Sequence, residues 1–218
     1  MKGRLCGGRQ RARSEQEKAQ RETQILDAAE ALFSERGLDR LTLADVAAAT
    51  GLTKAALYRY FRSKELLFLA VYRRALTAFV DDLTSQGSES FPEGMIHTLL
   101  AHPVYCRLTA ILHVALETGL STEEAREFKR YLLGQLNRLL AQVQSATGRH
   151  EAACLHYLLQ CQQALIGCWH MTHPTDTVRD ALASGPLQVF QLDFAQTLER
   201  HLTVLTDAFL KQPQSRLN

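Results

Sequence analysis

The sequence predicts an all-α protein, with an N-terminal three-helix unit followed by a larger helical bundle. Apolar residues recur at the three- and four-residue spacing of amphipathic helices along most of the 218 residues. Ser, Thr, Gly and Pro stand at the breaks between these stretches, where helices begin and end. With 46% hydrophobic and 22% charged residues, the composition is that of a globular protein with a sizeable core.

The first predicted helix opens at Ser14, which with Glu17 matches a capping box. Gly37 is expected to end this helix, because glycine adopts the left-handed conformation of a helix C-cap at little cost. The helix has an apolar stripe made of Ile25, Ala28, Ala29, Leu32 and Phe33.

Two short helices are predicted next. Thr42 and Asp45 repeat the capping pattern before a helix that ends at Thr50-Gly51, and Thr53 caps a helix from Lys54 to Phe61. Two short helices joined by about three residues, with Gly in the turn, are typical of a helix-turn-helix. The outward face of the second helix suits a DNA groove and carries Lys54, Ala55, Tyr58 and Arg59. The alternative is a helical hairpin with a solvated polar face.

Charge is distributed unevenly along the chain. Up to Lys64 there are thirteen Lys and Arg against eight Asp and Glu, a net of +5, and the rest has twelve against fifteen, a net of −3. A basic first quarter on an acidic remainder indicates that this end meets a polyanion. Residues 1–20 form either a basic arm that adds DNA contacts or a disordered tail; the basic residues at this end are Lys2, Arg4, Arg9, Arg11, Arg13, Lys18 and Arg21.

The stretch from residue 25 to 67 carries a family resemblance. Its pattern is Ile25-Leu26-x-Ala28-Ala29-x-x-Leu32-Phe33-x-x-x-Gly37, then Thr42-Leu43-x-x-Val46-Ala47, then Gly51-Leu52-Thr53-Lys54-x-x-Leu57-Tyr58-x-Tyr60-Phe61-x-x-Lys64-Glu65-x-Leu67. This resembles the DNA-binding domain of tetracycline-repressor (TetR) type regulators. The resemblance implies a three-helix DNA-binding head, an all-helical regulatory body and a homodimer. It places the DNA-binding residues at Thr42, Thr53, Lys54, Ala55, Tyr58, Arg59, Tyr60 and Lys64.

The resemblance also implies roles within that set. Arg59 would reach a base or a phosphate, and phosphates would be held by Thr42, Lys54, Tyr58, Tyr60 and Lys64. The position of Lys64 is consistent with a phosphate contact, because a cation beside the free N–H groups at the start of a helix makes an anion site. The family often has Gly, Pro or Ser followed by Thr or Ser where this chain has Ala55-Ala56. The base preference is therefore left open.

After the arm at 1–20 and the head at 21–64, residues 65–218 are predicted to form the body. Ser63 can cap a fourth helix, which no Gly or Pro interrupts from residue 64 to 86. Further helices are expected over residues 104–118, 122–147 and 151–170, with a polar link after them. Pro186 would open the last helix, residues 187–210.

The last two long helices are predicted to form the dimer interface, as they do in TetR-like proteins. The earlier one carries Leu158, Leu165 and Trp169, and the last one carries Phe190, Phe194, Leu198, Leu202 and Leu205. The alternative is that both apolar stripes complete the core of a single chain.

A ligand pocket in the body is implied by the resemblance, while no cofactor and no metal site is expected. The segment from His150 to Cys154 lacks the second histidine of the H-E-x-x-H zinc motif and fits a helix terminus instead. Three cysteines recurring every seven residues, Cys154, Cys161 and Cys168, are expected to lie buried on one helical face. The candidate pocket residues are His97, Tyr105, Cys106, His113, Phe128, Tyr131, His156 and Trp169.

These features predict a sequence-specific DNA-binding transcription regulator, a homodimeric repressor released from a palindromic operator by a small-molecule effector. The alternatives are an activator or ligand-independent regulator of the same fold, an architectural DNA binder, and an enzyme with a DNA-binding head. The sequence contains no recognised catalytic motif that favours the enzyme. No uncharged apolar run reaches the roughly 18 residues of a membrane helix, and no secretory signal opens the chain, so a cytoplasmic protein is expected.

Overall fold

The computed structural model describes residues 6–212, with side chains from residue 15 onward. Over residues 6–212 all regular secondary structure is helical, which confirms the predicted fold class. The chain divides into two compact units, Met1–Val71 and Tyr72–Asn218. The division between them falls within one uninterrupted helix, α4 (Lys64–Ser85).

The N-terminal unit contains α1 (Cys6–Arg36), α2 (Leu43–Ala49), α3 (Lys54–Tyr58) and the start of α4. Gly37 ends α1 with a φ of 77°, as predicted, and its N–H donates to the carbonyl of Phe33 at 2.9 Å. The rings of Phe33 and Phe68 meet with centroids 5.4 Å apart. The core of this unit is formed by Ile25, Ala29, Phe33, Leu41, Val46, Leu57, Leu67 and Phe68.

Two predicted helix boundaries in this unit were wrong. Helix α1 begins at Cys6 rather than at Ser14, because the Arg, Gln and Ala residues just before Ser14 favour helix and extend it upstream. Helix α3 ends at Tyr58 rather than at Phe61. The N–H groups of Tyr60 and Phe61 both donate to the carbonyl of Leu57, and this tight turn leaves the Phe61 side chain buried.

The C-terminal unit is a bundle in which α8 packs against α6, α7 and α10. Its helices are α5 (Glu93–Ala101), α6 (Pro103–Ile111), α7 (Thr122–Thr147), α8 (Glu151–Thr172), α9 (Asp176–Leu182) and α10 (Phe194–Lys211). A π-helical turn, Leu112–Leu116, follows α6, and 3-10 turns lie at Ser88–Ser90 and Gly185–Phe190. Within residues 6–212 no single helix could cross a membrane; α5 and Pro103–Leu116 meet the length and apolarity criteria only as a pair bent by 82°.

Helices α8 and α10 are joined by a buried aromatic contact. Tyr157 stacks on Phe209 with ring centroids 4.4 Å apart, and its hydroxyl lies 2.7 Å from that of Thr206. The Arg149 guanidinium covers the Phe209 ring and donates to the carbonyl of Leu210. These contacts fix α10 against the start of α8.

The predicted course of the C-terminal region needs correction at two places. The last helix begins at Phe194 and not after Pro186, because the Asp193 carboxylate caps it by accepting from the N–H of Gln196 at 2.9 Å. The intervening segment contains α9 and a 3-10 turn instead of a simple polar link. The predicted helix over residues 104–118 is α-helical only to Ile111, after which it widens into the π turn.

Candidate DNA-binding surface and internal cavity

Side-chain caps position the two helices of the predicted helix-turn-helix. Thr42 and Asp45 form the predicted capping box at the start of α2. Gly51, with a φ of 66°, makes the turn, and the Thr53 hydroxyl accepts from the N–H of Ala56 at 3.1 Å to begin α3. Leu57, fully buried, anchors α3 to the unit. Short-range hydrogen bonds therefore set where α2 and α3 begin.

The structure leaves most of the predicted DNA-binding residues accessible to solvent. Lys54 lies with its ammonium 5.8 Å from the centre of the Tyr58 ring, a cation–π contact that holds both side chains on the outer face of α3. Tyr60 and Lys64 are half-buried, and the exposed members are Thr42, Thr53, Lys54, Ala55, Tyr58 and Arg59.

Thr42 and Lys64 also make hydrogen bonds within the head. The Thr42 hydroxyl donates to the Asp45 carboxylate at 2.6 Å, and its N–H donates at 2.8 Å. These hydrogen bonds lower the pKa of Asp45 below its ordinary value. The Lys64 ammonium donates to the carbonyl of Leu38 at 3.1 Å. Both residues thus stabilise the head through their own hydrogen bonds.

A shallow polar depression lies along α1, next to the Tyr60 side chain. It is lined by Lys18, Arg21 and Gln24, together with Glu17 and Gln20, and Arg21 donates to the Gln24 side chain at 2.9 Å. Lys18 and Arg21 were assigned to the basic arm from charge alone. Their placement on α1, one helical turn apart, could have been found from the spacing. Lys2 and Arg4 lie outside the described residues, as do the side chains of Arg9, Arg11 and Arg13.

The C-terminal unit encloses a cavity of about 510 Å³ between α4, α5, α6, α7 and α8. Two of the eight predicted pocket residues, Tyr105 and His113, line it. The rest of the wall is mainly leucine, including Leu76, Leu83, Leu99, Leu112, Leu132, Leu133, Leu136, Leu139, Leu158, Leu159 and Leu165. The prediction concentrated on polar-tipped residues and therefore missed these leucines, although their helical spacing on α7 was visible in the sequence.

The other six predicted pocket residues do not line this cavity. Cys106 and Phe128 are buried elsewhere in the core, and Tyr131 donates its hydroxyl to the backbone carbonyl of Arg73 at 2.6 Å. Trp169 stacks on His173 with ring centroids 3.7 Å apart. His97 and His156 face solvent on α5 and α8.

Charged groups gather at one place on the cavity wall. Glu117 accepts from the ammonium of Lys129 with one carboxylate oxygen and contacts His113 Nδ1 at 3.1 Å with the other. Partial burial raises the pKa of Glu117, but the hydrogen bonds from Lys129 and His113 outweigh it and leave that pKa below its ordinary value. Burial raises the pKa values of Tyr105 and Cys161, which also line the cavity, to about 12. Those two groups are therefore neutral at physiological pH.

The predicted dimer residues separate into core and surface. Leu165, Leu198 and Leu202 are 2%, 0% and 0% exposed, so they belong to the core of the single chain. Phe190 is exposed but lies on the 3-10 turn, not on the last helix, and Trp169 is packed between His173 and Phe194. Leu158 lines the cavity, and Leu205 is half-buried. Other apolar residues exposed on this part of the chain are Met171, Val189, Leu192 and Val204.

Two further predictions are confirmed. His150 is a helix terminus, since its ring Nδ1 accepts from the N–H of Ala153 at the start of α8. Cys154, Cys161 and Cys168 are buried on α8. Within residues 15–212, no group of three or more His, Cys, Asp or Glu side chains is arranged to hold a metal ion.

A capped helix-turn-helix followed by an all-helical unit defines a DNA-binding regulator with a separate helical body. Comparison with known families supports this assignment over most of the chain. Residues 25–71 match the model of bacterial regulatory proteins of the tetR family, and residues 68–208 match the tetracyclin repressor-like C-terminal domain. The chain therefore belongs to the TetR family of DNA-binding transcriptional regulators, a family without enzymatic activity.

Individual relatives are more distant. The HTH-type transcriptional repressor KstR2 of Rhodococcus jostii is 38% identical over 78 residues, and the match spans only 36% of each chain. A possible TetR family regulator from Streptomyces coelicolor superposes with a TM-score of 0.59 at 23% identity, covering 86% of this chain and 97% of that one. FadR of Bacillus subtilis, solved in complex with stearoyl-CoA, superposes with a TM-score of 0.56 at 16% identity. The superposition covers 84% of this chain and 96% of FadR. These two likenesses support the fold alone.

Proposed function

We propose that this TetR-family protein is a homodimeric repressor that binds a palindromic operator and is released by a small-molecule effector. The observation that carries the proposal is the cavity of about 510 Å³ in a chain that also exposes a capped recognition helix. A cavity of this size falls in the range that holds drug-sized ligands. Since the protein acts on operator DNA, its place of action is the cytoplasm.

The DNA-binding part of the proposal is supported by the surface of α3. Lys54, Tyr58 and Arg59 combine two cations with a phenol, groups that contact phosphate oxygens. The Ala55 methyl is exposed between them and can touch a thymine methyl in the major groove. Because Thr53 fixes the start of α3, these groups project from a defined position.

The homodimer is supported by apolar groups that a single chain leaves in water. Val204 is 63% exposed on α10, on the opposite side from the buried Leu198 and Leu202. Val204 also lines a groove of about 470 Å³, formed by α10 and by Gln191 and Leu192, which follow the 3-10 turn. A surface that carries both protruding apolar groups and a groove suits a two-fold contact with a second copy.

Footprinting tests the proposal directly. DNA from the region upstream of the gene that encodes this chain is incubated with the full protein, and protection and stoichiometry are measured. We expect a pseudo-palindromic site bound by two chains, with half-sites one or more helical turns apart, about 34–36 Å per turn. A single short asymmetric site, or one chain per site, would rule out the two-fold dimer. Equal affinity for random DNA at fixed salt would instead indicate an architectural binder.

A further inference from the structure

We propose that the cavity takes an elongated, largely apolar molecule with one small oxygen-acceptor head group, a carboxylate or a carbonyl, held at the end formed by Lys129 and His113. This inference rests on the proposed function, to which it adds the chemical class of the effector.

The cavity is long rather than round. Helix α4 lines it with Tyr72, Leu76, Phe79 and Leu83, which share one face over about three turns. This face is about 16 Å long at the helical rise per residue. Helix α7 lines the cavity from Lys129 to Leu139, a similar length. An extended ligand lying along both helices would fit this shape.

Helices α4 and α7 run side by side in the same direction, which fixes the two ends of the cavity. Side-chain hydrogen bonds join Arg73 to Glu127, Thr77 to Tyr131 and Thr84 to Arg138, and each pair is 54 positions apart. With this constant register, Tyr72 lies at the same end as Lys129, and Leu83 lies at the same end as Leu139.

The two ends differ in chemistry. The first end holds Lys129 and His113 beside the buried Tyr72 and Tyr105 rings. The wall at the second end is mainly apolar, formed by Leu83, Met95, Leu139 and Leu158, and the other polar residues of the cavity wall, Gln135 and Gln162, carry no charge. Burial raises the pKa of Tyr105 to about 12, so it adds no charge at the first end. A ligand with a polar head and an apolar tail therefore has only one matching orientation.

The charges at the first end favour a head group with few negative charges. The Lys129 and His113 side chains are 52% and 53% exposed, so this end lies where the cavity meets solvent. Glu117 bridges Lys129 and His113 and thereby positions both side chains on the wall. The Lys129 ammonium has three donors and uses one on Glu117, which leaves donors for a ligand oxygen. With Glu117 balancing Lys129, there is no excess positive charge of the kind that a polyphosphate requires. The site fits a single small acceptor.

Between α7 and α8 the border of the cavity is apolar. Leu133 on α7 and Leu159 on α8 both line the cavity and are 56% and 42% exposed. These two solvent-exposed leucine side chains form a rim of the cavity between α7 and α8. An apolar chain can pass such a rim without losing hydrogen bonds to water.

Calorimetry with the full-length protein and probes of one chain length tests the inference. The probes are dodecanoic acid, its methyl ester, dodecyltrimethylammonium and dodecanoyl-CoA, each below its critical micelle concentration. We expect one molecule of acid or ester per chain, and at least tenfold weaker binding of the ammonium probe. The acid and ester arms separate a charged head from a neutral carbonyl, and dodecanoyl-CoA is expected to bind no more tightly than the acid.

Variants locate the head group. The double variant Lys129→Met/Glu117→Gln removes the donor without leaving an unpaired carboxylate. We expect it to weaken the binding of dodecanoic acid roughly tenfold and to change the binding of the methyl ester less. The matched control is Lys211→Met/Asp207→Asn, which removes an exposed ion pair on α10 and is expected to change neither affinity. Leu136→Trp fills the leucine wall and should abolish binding of every probe, while DNA binding reports that the protein is folded.

Three results would overturn the inference: no probe binds although the protein still binds DNA, the ammonium probe binds best, or dodecanoyl-CoA binds best. The first result leaves the DNA-binding regulator intact and removes only the ligand class. If dodecanoic acid binds in the cavity but does not release DNA, the ligand class stands and the effector-release step of the proposed function fails.

Discussion

The ammonium of Lys64 donates a hydrogen bond to the backbone carbonyl of Leu38, 3.1 Å away. Lys64 is the first residue of α4, and Leu38 directly follows the glycine that ends α1. The contact therefore ties the start of one helix to the end of another within the head. The family resemblance implies that Lys64 contacts a phosphate, and this hydrogen bond gives it a structural role before any DNA is bound.

Lys64→Ala is expected to weaken binding to all DNA sequences about equally and to lower the salt slope by about one, because one phosphate contact is lost. Loss of the hydrogen bond to Leu38 should also destabilise the head by about 1 kcal/mol. Fluorescence anisotropy at several salt concentrations and thermal unfolding measure the two effects. Lys211→Ala, at an exposed lysine far along the sequence on α10, serves as control. A changed base preference with unchanged affinity for random DNA would contradict the phosphate assignment.

Thr53→Ala is expected to destabilise the head by about 1 kcal/mol, because the N–H of Ala56 loses its hydroxyl acceptor at the start of α3. Thr53→Ser keeps the hydroxyl and is the matched control, with stability near that of the parent. Chemical denaturation gives the free energies of unfolding. If Ala and Ser variants were equally stable, the cap would not fix the recognition helix.

The parts of the head that could be predicted from sequence are those set by short-range contacts. The caps at Thr42, Thr53 and Ser63 each join residues three positions apart, so the pattern is visible in a single stretch of chain. The start of α1 was missed although it is local. Ser14 is a good capping residue, but helix-favouring residues before it continue the helix through that position.

The body could be predicted only as a set of helices. Leu198 and Leu202 form an apolar stripe that fits either a dimer contact or a core, and only tertiary packing shows that both face the core. The polar end of the cavity joins His113 on the π turn to Lys129 on α7 through Glu117. Periodicity describes one helix at a time and does not reveal which faces of different helices meet.

Val204→Asp is expected to raise the dimer dissociation constant at least tenfold, because it places a charge on the exposed apolar side of α10. Val114→Asp is a matched control, since Val114 is 73% exposed on the π turn and lies away from α10 in sequence. Analytical ultracentrifugation over a range of concentrations measures the effect. A Val204→Asp variant that dimerises like the parent would exclude this face from the interface.

A Gly-Gly-Ser insertion between Val71 and Tyr72 is expected to uncouple ligand binding from DNA release. No Gly or Pro interrupts α4 between Lys64 and Ser85, and the division between the two units falls at this point. Tyr72, Leu76 and Phe79 on the same helix line the cavity, so a ligand that displaces them also shifts the axis of α4. A continuous helix would carry that shift into the head as a lever, and a flexible insert would absorb it.

The insertion at this boundary leaves the residues of each unit in their own sequence order. We therefore expect dodecanoic acid to bind the variant with parental affinity in calorimetry, while its effect on operator binding falls from the 5- to 150-fold typical of about 1–3 kcal/mol of coupling to nearly none. Ultracentrifugation and circular dichroism establish that the variant is dimeric and helical. If this folded dimer still released DNA on ligand addition as the parent does, coupling would not pass through the continuity of α4, and the lever mechanism would be wrong.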